Sequence, residues 1–595
     1  MTIDDLLVIY EGRLRELQAG LAQARLHSAA ATVALTIAAA LFLTLGFYAV
    51  RQRVDFWWPA VPIPLVVASA RWYRLSRQSR YRFARLDRFY LRGLERIQGH
   101  WAGSGSGGEE FCDPEHVYAR DLNVFGEGSL FELLCTARTA NGQRGLAEFL
   151  LKTPPLEETI RRQDAVRELR DRLDLREKTA LLGEFEFQES KWETFAEWLD
   201  SPPFSFSRWI RITAFITSAL LVIVFLGGMS GLIPWIVVGK WMIPLAGFHT
   251  VVGLVFRKRV NGMAVWLHPV STETQVLREG LRLLEAAQFE SIKLRELANR
   301  VRNGSNSVRH LERLLDALNE RNKDLFYVPS LFLLLGTQLC MAVEEWRIAN
   351  RDALRIWLDA WAEFEALSAL ANYAYENPES RYPELFSGDA AFEADALGHP
   401  LLAGESCVRN DVRLNRDCRF YVVSGSNMSG KSTLLRAIGL NAVLAFAGAP
   451  VRAGALRLSR LSVCVSLSVV DSLLSGKSKF LAEMDRLRQT LEAAAQDTPV
   501  LFLIDEILSG TNSQDRRVAS EAVVRTLVDR GAIGVLSTHD LALGEIAELE
   551  ELHGMNVHTG SRDGGGPMDF DYLVKPSMTT ETNALEIARM AGVRV

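Results

Sequence analysis

A glycine-bracketed loop constrains the folding of this 595-residue chain more than any other feature. The spacing G-x-x-x-x-G-K-S runs from Gly425 to Ser432, between the apolar run FYVV and the helical pattern LLRAIGLNAVLAF. Such a loop needs a strand before it and a helix after it, so it predicts an α/β P-loop domain. The N-terminus of that helix carries a partial positive charge and suits a bound phosphate.

The residues of this loop each have a predicted role in binding a nucleotide. Gly425 and Gly430 let the backbone fold into a cup of N–H donors. Lys431 would place its ammonium on the β- and γ-phosphate oxygens, and Ser432 would offer its hydroxyl to Mg²⁺. ATP and Mg²⁺ are therefore the expected ligands. The predicted ATP-binding residues are Gly425, Ser426, Asn427, Met428, Ser429, Gly430, Lys431, Ser432 and Thr433.

Two acidic residues end a second strand-like run, VLFLIDE. Asp505 is predicted to hold Mg²⁺ through water, and Glu506 to polarise the attacking water as a general base. An isolated Asp-Glu pair after a strand is more often the start of a helix. Here the pair follows a P-loop in the chain order that the fold requires, which favours chemistry. A further strand, Ile533–Leu536, ends shortly before His539, which is predicted to contact the γ-phosphate region.

Composition argues against several other classes of protein. The net charge of −5 gives no global signature of nucleic-acid binding. The six cysteines are scattered without a C-x-x-C pair, so a disulfide framework or a zinc site is not expected. No cleavable signal peptide is predicted, because the first apolar run starts only near residue 28, after a charged segment.

Long apolar stretches predict that part of the chain lies in a membrane. Ser28–Val50 has 23 residues without a charge, which is enough to cross a bilayer. Phe56–Ala70 is shorter and contains three prolines; it is interpreted as the return span of a tight hairpin, with a re-entrant segment as the alternative. A second hairpin is predicted between Ile212 and Phe256, where Lys240 is the only formal charge.

A fifth apolar stretch, Phe326–Val343, has 18 uncharged residues. A fifth span would move the nucleotide site outside the cell, so this stretch is interpreted as a buried soluble helix and four spans are predicted. Basic residues flank the hairpins, whereas their turns carry few. The positive-inside rule then places both termini and the P-loop domain in the cytoplasm, with the chain a multi-pass protein of the cytoplasmic (inner) membrane.

Five motifs follow one another along the C-terminal part of the chain: GSNMSGKSTLLR, GKSKFLAEMDRL (476–487), LFLIDEILSGTNSQD (501–515), STHD (537–540) and NALEIARMAGV (583–593). Together they resemble the MutS family of DNA mismatch-repair ATPases. The resemblance implies an ATPase domain of the ABC type at the C-terminus, preceded by all-α core and lever helices. It also implies a homodimer in which Ser478 of one subunit acts on the γ-phosphate bound by the other. Asn427 matches the family's P-loop asparagine and His539 its switch histidine.

With that resemblance, the chain divides into seven predicted segments. They are an N-terminal amphipathic helix (1–27), a first transmembrane hairpin (28–71), a basic helix with a Gly/Ser linker (72–110), a MutS-like core segment (111–208), a second transmembrane hairpin (209–257), helical core and lever (258–400), and the ATPase domain (401–595).

The chain also departs from the family's pattern. Membrane spans occupy the end where a mismatch-reading domain would lie. The resemblance therefore predicts ATP binding and hydrolysis more strongly than it predicts mismatch recognition. Cys407 stands where the family usually has an aromatic residue against adenine. The arginine-rich stretch 295–313 is compatible with phosphate contacts or with a solvated, salt-bridged face, because acidic residues lie among the arginines.

The predicted function is a membrane-anchored ATPase with sites shared between two subunits, coupled to lever-helix movement and, as a further expectation, to DNA binding. Two other classes stay open. A transporter of the ATP-binding-cassette type is suggested by LSGKS (474–478), although the spans offer few polar residues to line a path. A membrane scaffold could instead use ATP only as a conformational latch, without binding DNA.

Overall fold

The chain forms two compact units. The computed structural model describes residues 2–55, 57–182, 198–202, 208–320, 330, 333–402, 404–426, 428–467, 479–509, 512–561 and 569–578. The first unit contains Met1–Thr136, Leu146–Leu181 and Ala366–Val595, and the second contains Ala137–Gly145 and Leu182–Glu365.

The first unit begins with a helical hairpin. Helix α1 (Ile3–Val50) starts with a capping box between Thr2 and Asp5, and helix α2 (Ile63–Ile97) returns along it. A Cβ on Gly20 would meet the Phe83 ring at 2.6 Å, and one on Gly93 would meet the Tyr10 ring at 2.5 Å. These glycines therefore let the two helices approach closely.

A buried ion pair fixes the open end of this hairpin. Arg96 Nε donates to Glu376 Oε2 at 2.6 Å, and Tyr10 Oη donates to Glu376 Oε1 at 3.4 Å. The Tyr10 and Tyr90 rings pack edge to face, with centroids 5.1 Å apart. The start of α1 and the end of α2 thus lie together.

The remaining helices before the sheets divide between the two units. They are α3 (Leu130–Leu134), α4 (Ala140–Leu151), α5 (Leu156–Arg170), α6 (Leu173–Ala180), α7 (Arg208–Met229), α8 (Trp235–Ala286), α9 (Ile292–Arg300), α10 (Gly304–Glu320) and α11 (Leu335–Glu376). The described part of the second unit is thus built from helices and their connections.

The prediction of four membrane spans is corrected to three candidates. Among the described residues, the helices long and apolar enough to cross a membrane contain Ile3–Val50, Trp209–Met229 and Trp235–Phe256. The predicted second span, Phe56–Ala70, is not among them. Its prolines place a 3₁₀ turn at Trp58–Ala60 and delay the start of α2 to Ile63, so only a short apolar run precedes the arginine-rich part.

Two sheets form the core of the C-terminal part of the first unit, as far as it is described. The smaller has the strand order β1-β5-β2-β3, and the larger has the order β10-β9-β4-β8-β7-β6. The strands are β1 (Glu384–Phe386), β2 (Phe392–Leu397), β3 (Asn410–Leu414), β4 (Phe420–Ser424), β5 (Ala455–Ser459), β6 (Ser462–Ser466), β7 (Val500–Asp505), β8 (Ile533–Thr538), β9 (Gly554–Ser561) and β10 (Phe570–Pro576).

Five neighbouring strands of the larger sheet, β9-β4-β8-β7-β6, have the parallel arrangement expected of a P-loop domain, and β10 pairs antiparallel with β9 at the edge. Strand β4 pairs in parallel with β8 and β9, and β7 pairs in parallel with β6 and β8. Both β4 and β8 are buried along their whole length, as expected for parallel strands that helices cover. The helices of this part are α12 (Lys431–Ala447), α13 (Lys479–Ala493), α14 (Ser513–Asp529) and α15 (Gly544–Ala547).

Candidate nucleotide site

The predicted site residues converge at one edge of the larger sheet. Strands β4, β7 and β8 are parallel neighbours and end at Ser424, Asp505 and Thr538. Since the carboxyl ends of parallel strands meet at the same edge, the loops that follow them face one another. A cavity of about 740 Å³ opens there, lined by Lys431, Glu506 and other residues from these loops.

The loop after β4 requires glycine at two positions. Gly425 has φ +151°, and a Cβ there would lie 2.5 Å from the Thr559 carbonyl oxygen. Gly430 has φ +95° at the N-terminus of α12. Ser429 and Thr559 join the loop to β9 through a hydroxyl hydrogen bond of 2.7 Å. The close approach to β9, which the sequence did not reveal, fixes the shape of the loop.

Lys431 lies at the bottom of this loop. Its Nζ donates to the carbonyl oxygens of Gly425 at 2.8 Å and Ser426 at 2.9 Å. Burial lowers the pKa of Lys431, and the charges of Asp505 and Glu506 oppose that effect. The Lys431 ammonium can exchange these neutral carbonyl partners for phosphate oxygens, which accept stronger, charge-assisted hydrogen bonds.

Ser432 and Asp505 form a pair of oxygen ligands suited to Mg²⁺. The Ser432 hydroxyl donates to Asp505 Oδ2 at 2.6 Å, and the Ser537 hydroxyl donates to Asp505 Oδ1. Mg²⁺ prefers oxygen ligands and usually takes only one or two protein groups beside water and substrate phosphates. Within the described ranges, no cluster of three or more His, Cys, Asp or Glu residues could hold a metal ion by itself. The Ser432–Asp505 pair fits a metal delivered with a nucleotide.

Glu506 and His539 form a hydrogen-bonded pair beside that oxygen pair. His539 Nε2 lies 2.8 Å from Glu506 Oε1, and both side chains are partly exposed. Glu506 has φ +52°, an uncommon conformation for a residue other than glycine, and its N–H donates to the Ser537 carbonyl at 3.1 Å. Such strain is concentrated at functional positions because the surrounding structure must enforce it.

Two helices hold the loop that follows the acidic pair. The Leu508 N–H donates to Glu483 of α13. Arg516 of α14 donates to the carbonyl oxygens of Leu508 and Ser509, each at 3.0 Å. Glu483 lies within a motif that carries the family resemblance, and Arg516 directly follows another. Neither residue has a role that can be predicted from spacing, because both side chains bind main-chain atoms.

An aromatic face borders the other side of the cavity. A Cβ on Gly430 would lie 3.0 Å from the Tyr572 ring, and Phe570 also lines the cavity. Asn410 fixes this part of β10 by donating to the Tyr572 carbonyl at 3.0 Å and accepting from the Val574 N–H at 2.8 Å. Sequence reasoning missed Tyr572 because it lies far from the P-loop along the chain.

Cys407 is buried beside Gly398 and His399 and offers no flat surface to a base. Its Sγ accepts from the His399 N–H at 3.2 Å, and a Cβ on Gly398 would lie 2.9 Å from the same sulfur. Burial lowers the pKa of His399 to about 4, so that ring is neutral at physiological pH. Asn427 and Ser478 lie outside the described residues, so their predicted roles stay predictions.

Comparison with known proteins identifies the domain that carries this site. The family described as MutS domain V matches residues 421–594. The C-terminal part of this chain carries a MutS domain V. The match covers the P-loop, the acidic pair and His539, so the MutS resemblance found in the sequence is confirmed.

Curated MutS relatives match the same half of the chain. The DNA mismatch repair protein MutS 1 of Halobacterium salinarum is 34% identical over 264 residues, which are 44% of this chain and 30% of that protein. MutS of Lactobacillus delbrueckii subsp. bulgaricus is 31% identical over 39% of this chain and 28% of its own length. MutS 2 of H. salinarum is 31% identical over 46% of this chain and 30% of its own length. The chain thus spans less than a third of the length of these relatives.

Proposed function

We propose that this chain is a membrane-attached MutS-type ATPase that hydrolyses ATP to ADP and phosphate. The observation that carries the proposal is the meeting of Lys431, the Ser432–Asp505 pair and the Glu506–His539 pair around one cavity. These groups supply a phosphate-binding cation, oxygen ligands for Mg²⁺ and a base for water.

Each group then has one step in hydrolysis. The loop N–H groups and the Lys431 ammonium bind the β- and γ-phosphates. Ser432 and Asp505 would hold Mg²⁺, which would neutralise charge on the phosphate oxygens. Glu506 accepts the proton of the water that attacks the γ-phosphorus, and the bond to the ADP oxygen breaks. His539, hydrogen-bonded to Glu506, orients that carboxylate for the attacking water.

The base of the nucleotide would pack on the aromatic face. Tyr572 lies against the P-loop, and Phe570 lies beside it with ring centroids 6.1 Å apart. These rings offer the flat apolar surface that Cys407 cannot provide. Adenine stacks favourably on such rings because both are flat and polarisable.

The active form is proposed to be a homodimer through the ATPase domains. This rests on the MutS resemblance, in which Ser478 of one subunit reaches the γ-phosphate held by the other. Mixing a Ser478→Ala variant with a Lys431→Ala variant tests it. Heterodimers then contain one site with both residues intact, so mixing should restore part of the activity that each variant lacks alone. Mixtures as inactive as their components would argue against shared sites.

Membrane attachment is proposed from the three apolar helices in the described residues. Their outward side chains are large and apolar, including Phe42, Phe215 and Ile243. An apolar surface of this extent is unstable in water and is covered by lipid or protein. We propose the cytoplasmic membrane, with the ATPase domain on the cytoplasmic side where ATP is available.

DNA is the proposed partner, since the curated relatives are named DNA mismatch repair proteins. The test is the ATPase rate of the detergent-solubilised protein with perfect duplex, mismatched duplex, branched DNA and single strands. Glu506→Gln is the control that shows the rate belongs to this site. We expect at least one DNA form to bind and change the rate. If no form binds or alters the rate, the DNA proposal fails while the ATPase proposal stands.

A further inference from the structure

The second unit contains a polar cluster in the middle of an apolar helix pair. We define this cluster as Thr217 and Ser218 of α7, His249 of α8 and Gln338 of α11. Ser218 and His249 are 8% and 1% exposed, so both are withdrawn from solvent although their helices are candidate membrane spans. Polar groups at such a depth are costly unless they are paired, and they mark a specific structural or functional need.

Two side chains of the cluster bind a turn of the main chain. The Leu333 carbonyl oxygen accepts hydrogen bonds from Ser218 Oγ at 2.9 Å and from Gln338 Nε2 at 3.0 Å. Gln338 Nε2 also lies 3.1 Å from Ser218 Oγ. The next residue, Leu334, has φ +52° and is 3% exposed. The carbonyl of the turn at Leu333–Leu334 is therefore satisfied by two side chains instead of by water.

This turn lies at the level of the middle of α7. Ser218 is the eleventh of the 22 residues of that helix, so it lies about 15 Å from either end at about 1.5 Å per residue. A hydrocarbon core is about 30 Å thick. If α7 crosses the bilayer, Ser218 and the turn that it contacts are close to the bilayer midplane.

Helix α11 runs from the turn antiparallel to α7. Gln338 contacts Ser218, and Glu345 forms an ion pair with Arg211. Gln338 and Glu345 are seven residues apart along α11, and their partners Ser218 and Arg211 are seven residues apart along α7 in the opposite direction. The two contacts therefore have the constant register of two antiparallel helices. The ion pair lies at the polar end of α7, whereas the turn lies at its apolar middle.

Helix α8 packs against the same turn and against α7. A Cβ on Gly253 would be 3.6 Å from Leu334 Cδ2, so the leucine packs at this glycine. His249 Nε2 lies 2.8 Å from Thr217 Oγ1. Thr217 Oγ1 already donates to the Thr213 carbonyl at 2.7 Å, so His249 Nε2 is the donor. The polar side chains of the cluster thus link α8, α7 and α11 at one level.

We infer that the turn at Leu333–Leu334 and the first turns of α11 enter the lipid bilayer as a re-entrant segment. Non-helical main chain is tolerated at membrane depth only where protein groups satisfy its polar atoms, and Ser218 and Gln338 do so here. The inference rests on the proposed membrane attachment and would replace the interpretation of Phe326–Val343 as a buried soluble helix for residues 333–343; residues 326–329 and 331–332 lie outside the described residues. Leu335, which is 39% exposed beside the turn, would face lipid.

The test measures depth at Leu335 in the full-length protein in lipid nanodiscs. The three partly exposed cysteines are first replaced by serine, and a nitroxide label is placed through Leu335→Cys. Ile216→Cys, on the exposed face of α7, is the reference for lipid, and Ile356→Cys, on an exposed face of α11, is the reference for water. Collision of each label with oxygen and with a water-soluble nickel complex is compared.

We expect the oxygen-to-nickel collision ratio at Leu335 to match that at Ile216 and to exceed that at Ile356 several-fold. A ratio at Leu335 equal to that at Ile356, with Ile216 still lipid-exposed, overturns the re-entrant segment and leaves membrane attachment intact. A label at Leu335 that meets neither reagent also overturns it, because protein then covers the position. If Ile216 itself is open to nickel, the proposed attachment through α7 fails as well.

A pair of variants tests the role of the polar cluster. Ser218→Ala removes one donor to the Leu333 carbonyl, whereas Thr250→Ala removes an exposed hydroxyl that donates within its own helix to Ala246. Ser218→Ala should raise nickel collision at the Leu335 label, and Thr250→Ala should leave it unchanged. Equal behaviour of the two variants would show that Ser218 does not hold the turn in the bilayer.

Discussion

The nucleotide cavity of the first unit and the helices of the second unit use buried polar groups in opposite ways. In the first unit, Lys431 and Asp505 border an open cavity, and their partners are carbonyls and hydroxyls that a substrate or a metal can replace. In the second unit, Arg347 and Glu344 are each 2% exposed and bond to each other at 2.5 Å. Polar groups that face a cavity are available for chemistry, whereas groups closed on each other hold helices in place.

The second unit closes its polar groups around main-chain turns. Arg347 Nη1 donates to Ser201 Oγ at 2.7 Å as well as to the Trp198 carbonyl. Glu365 accepts from the Arg138 N–H at 2.7 Å and from the Thr139 hydroxyl, at the start of α4. Substitutions in this unit should therefore change stability, while substitutions around the cavity should change catalysis.

The largest expected effect is on catalysis. Glu506→Gln keeps the shape of the side chain but removes the base, so kcat should fall about 100- to 1000-fold with ATP binding retained. Lys431→Ala should instead weaken ATP binding itself. Steady-state hydrolysis and equilibrium nucleotide binding separate the two. A Glu506→Gln protein that turns over ATP at the normal rate would remove Glu506 from the proposed mechanism.

The next effect is on stability and lies in the second unit. Arg347→Ala removes the cation that pairs with the buried Glu344 carboxylate, which should cost about 3–5 kcal/mol of unfolding free energy. The double variant Arg347→Met, Glu344→Leu removes both charges and should recover only the part of that loss due to the unpaired carboxylate, because the Trp198 and Ser201 oxygens still lose their donor. Chemical denaturation of the detergent-solubilised proteins measures both. Equal stability of Arg347→Ala and the parent would break the contrast between the units.

Glu365 should make the second unit sensitive to pH. Burial raises the pKa of Glu365 to about 7 from 4.5, against the hydrogen bonds from Thr139 and Arg138. Because the folded pKa is the higher one, the stability that Glu365 contributes is complete below about pH 4.5 and is lost as the pH rises through about 7. The loss should be at most about 3 kcal/mol.

The matched control for that pH dependence is Glu365→Gln, which cannot ionise. Its unfolding free energy should vary less between acid and neutral pH than that of the parent, while kcat at saturating ATP stays the same. An unchanged pH profile in the variant would assign the dependence to other groups.

The smallest effect is expected at the aromatic face of the cavity. Tyr572→Ala removes a ring worth about 1–1.5 kcal/mol to a stacked base, so the KM for ATP should rise about tenfold with little change in kcat. Tyr572→Phe keeps the ring and should behave like the parent. Comparing KM for ATP with that for inorganic triphosphate isolates the contribution of the base. A loss that is equal for both ligands would place the effect on the P-loop rather than on adenine.

Sequence reasoning found the parts of the site that are local in the chain. The P-loop and the acidic pair each need neighbouring residues at fixed spacing after a strand, so periodicity and order were enough to predict them. The sequence did not predict roles for Tyr572, Glu483 and Arg516, because they reach the site through tertiary contacts with main-chain atoms. No pattern along the chain marks such contacts.

Local spacing and composition predict the MutS resemblance, the parallel strands around the P-loop and the apolar character of the helices. The contacts that hold the main chain at Leu333, within the apolar stretch Phe326–Val343, follow only from the tertiary structure. Hydropathy is the same for a helix buried in protein and for a segment entering lipid. Unlike hydropathy, the hydrogen bonds of the Leu333 carbonyl with Ser218 and Gln338 show at which level along α7 the main chain turns.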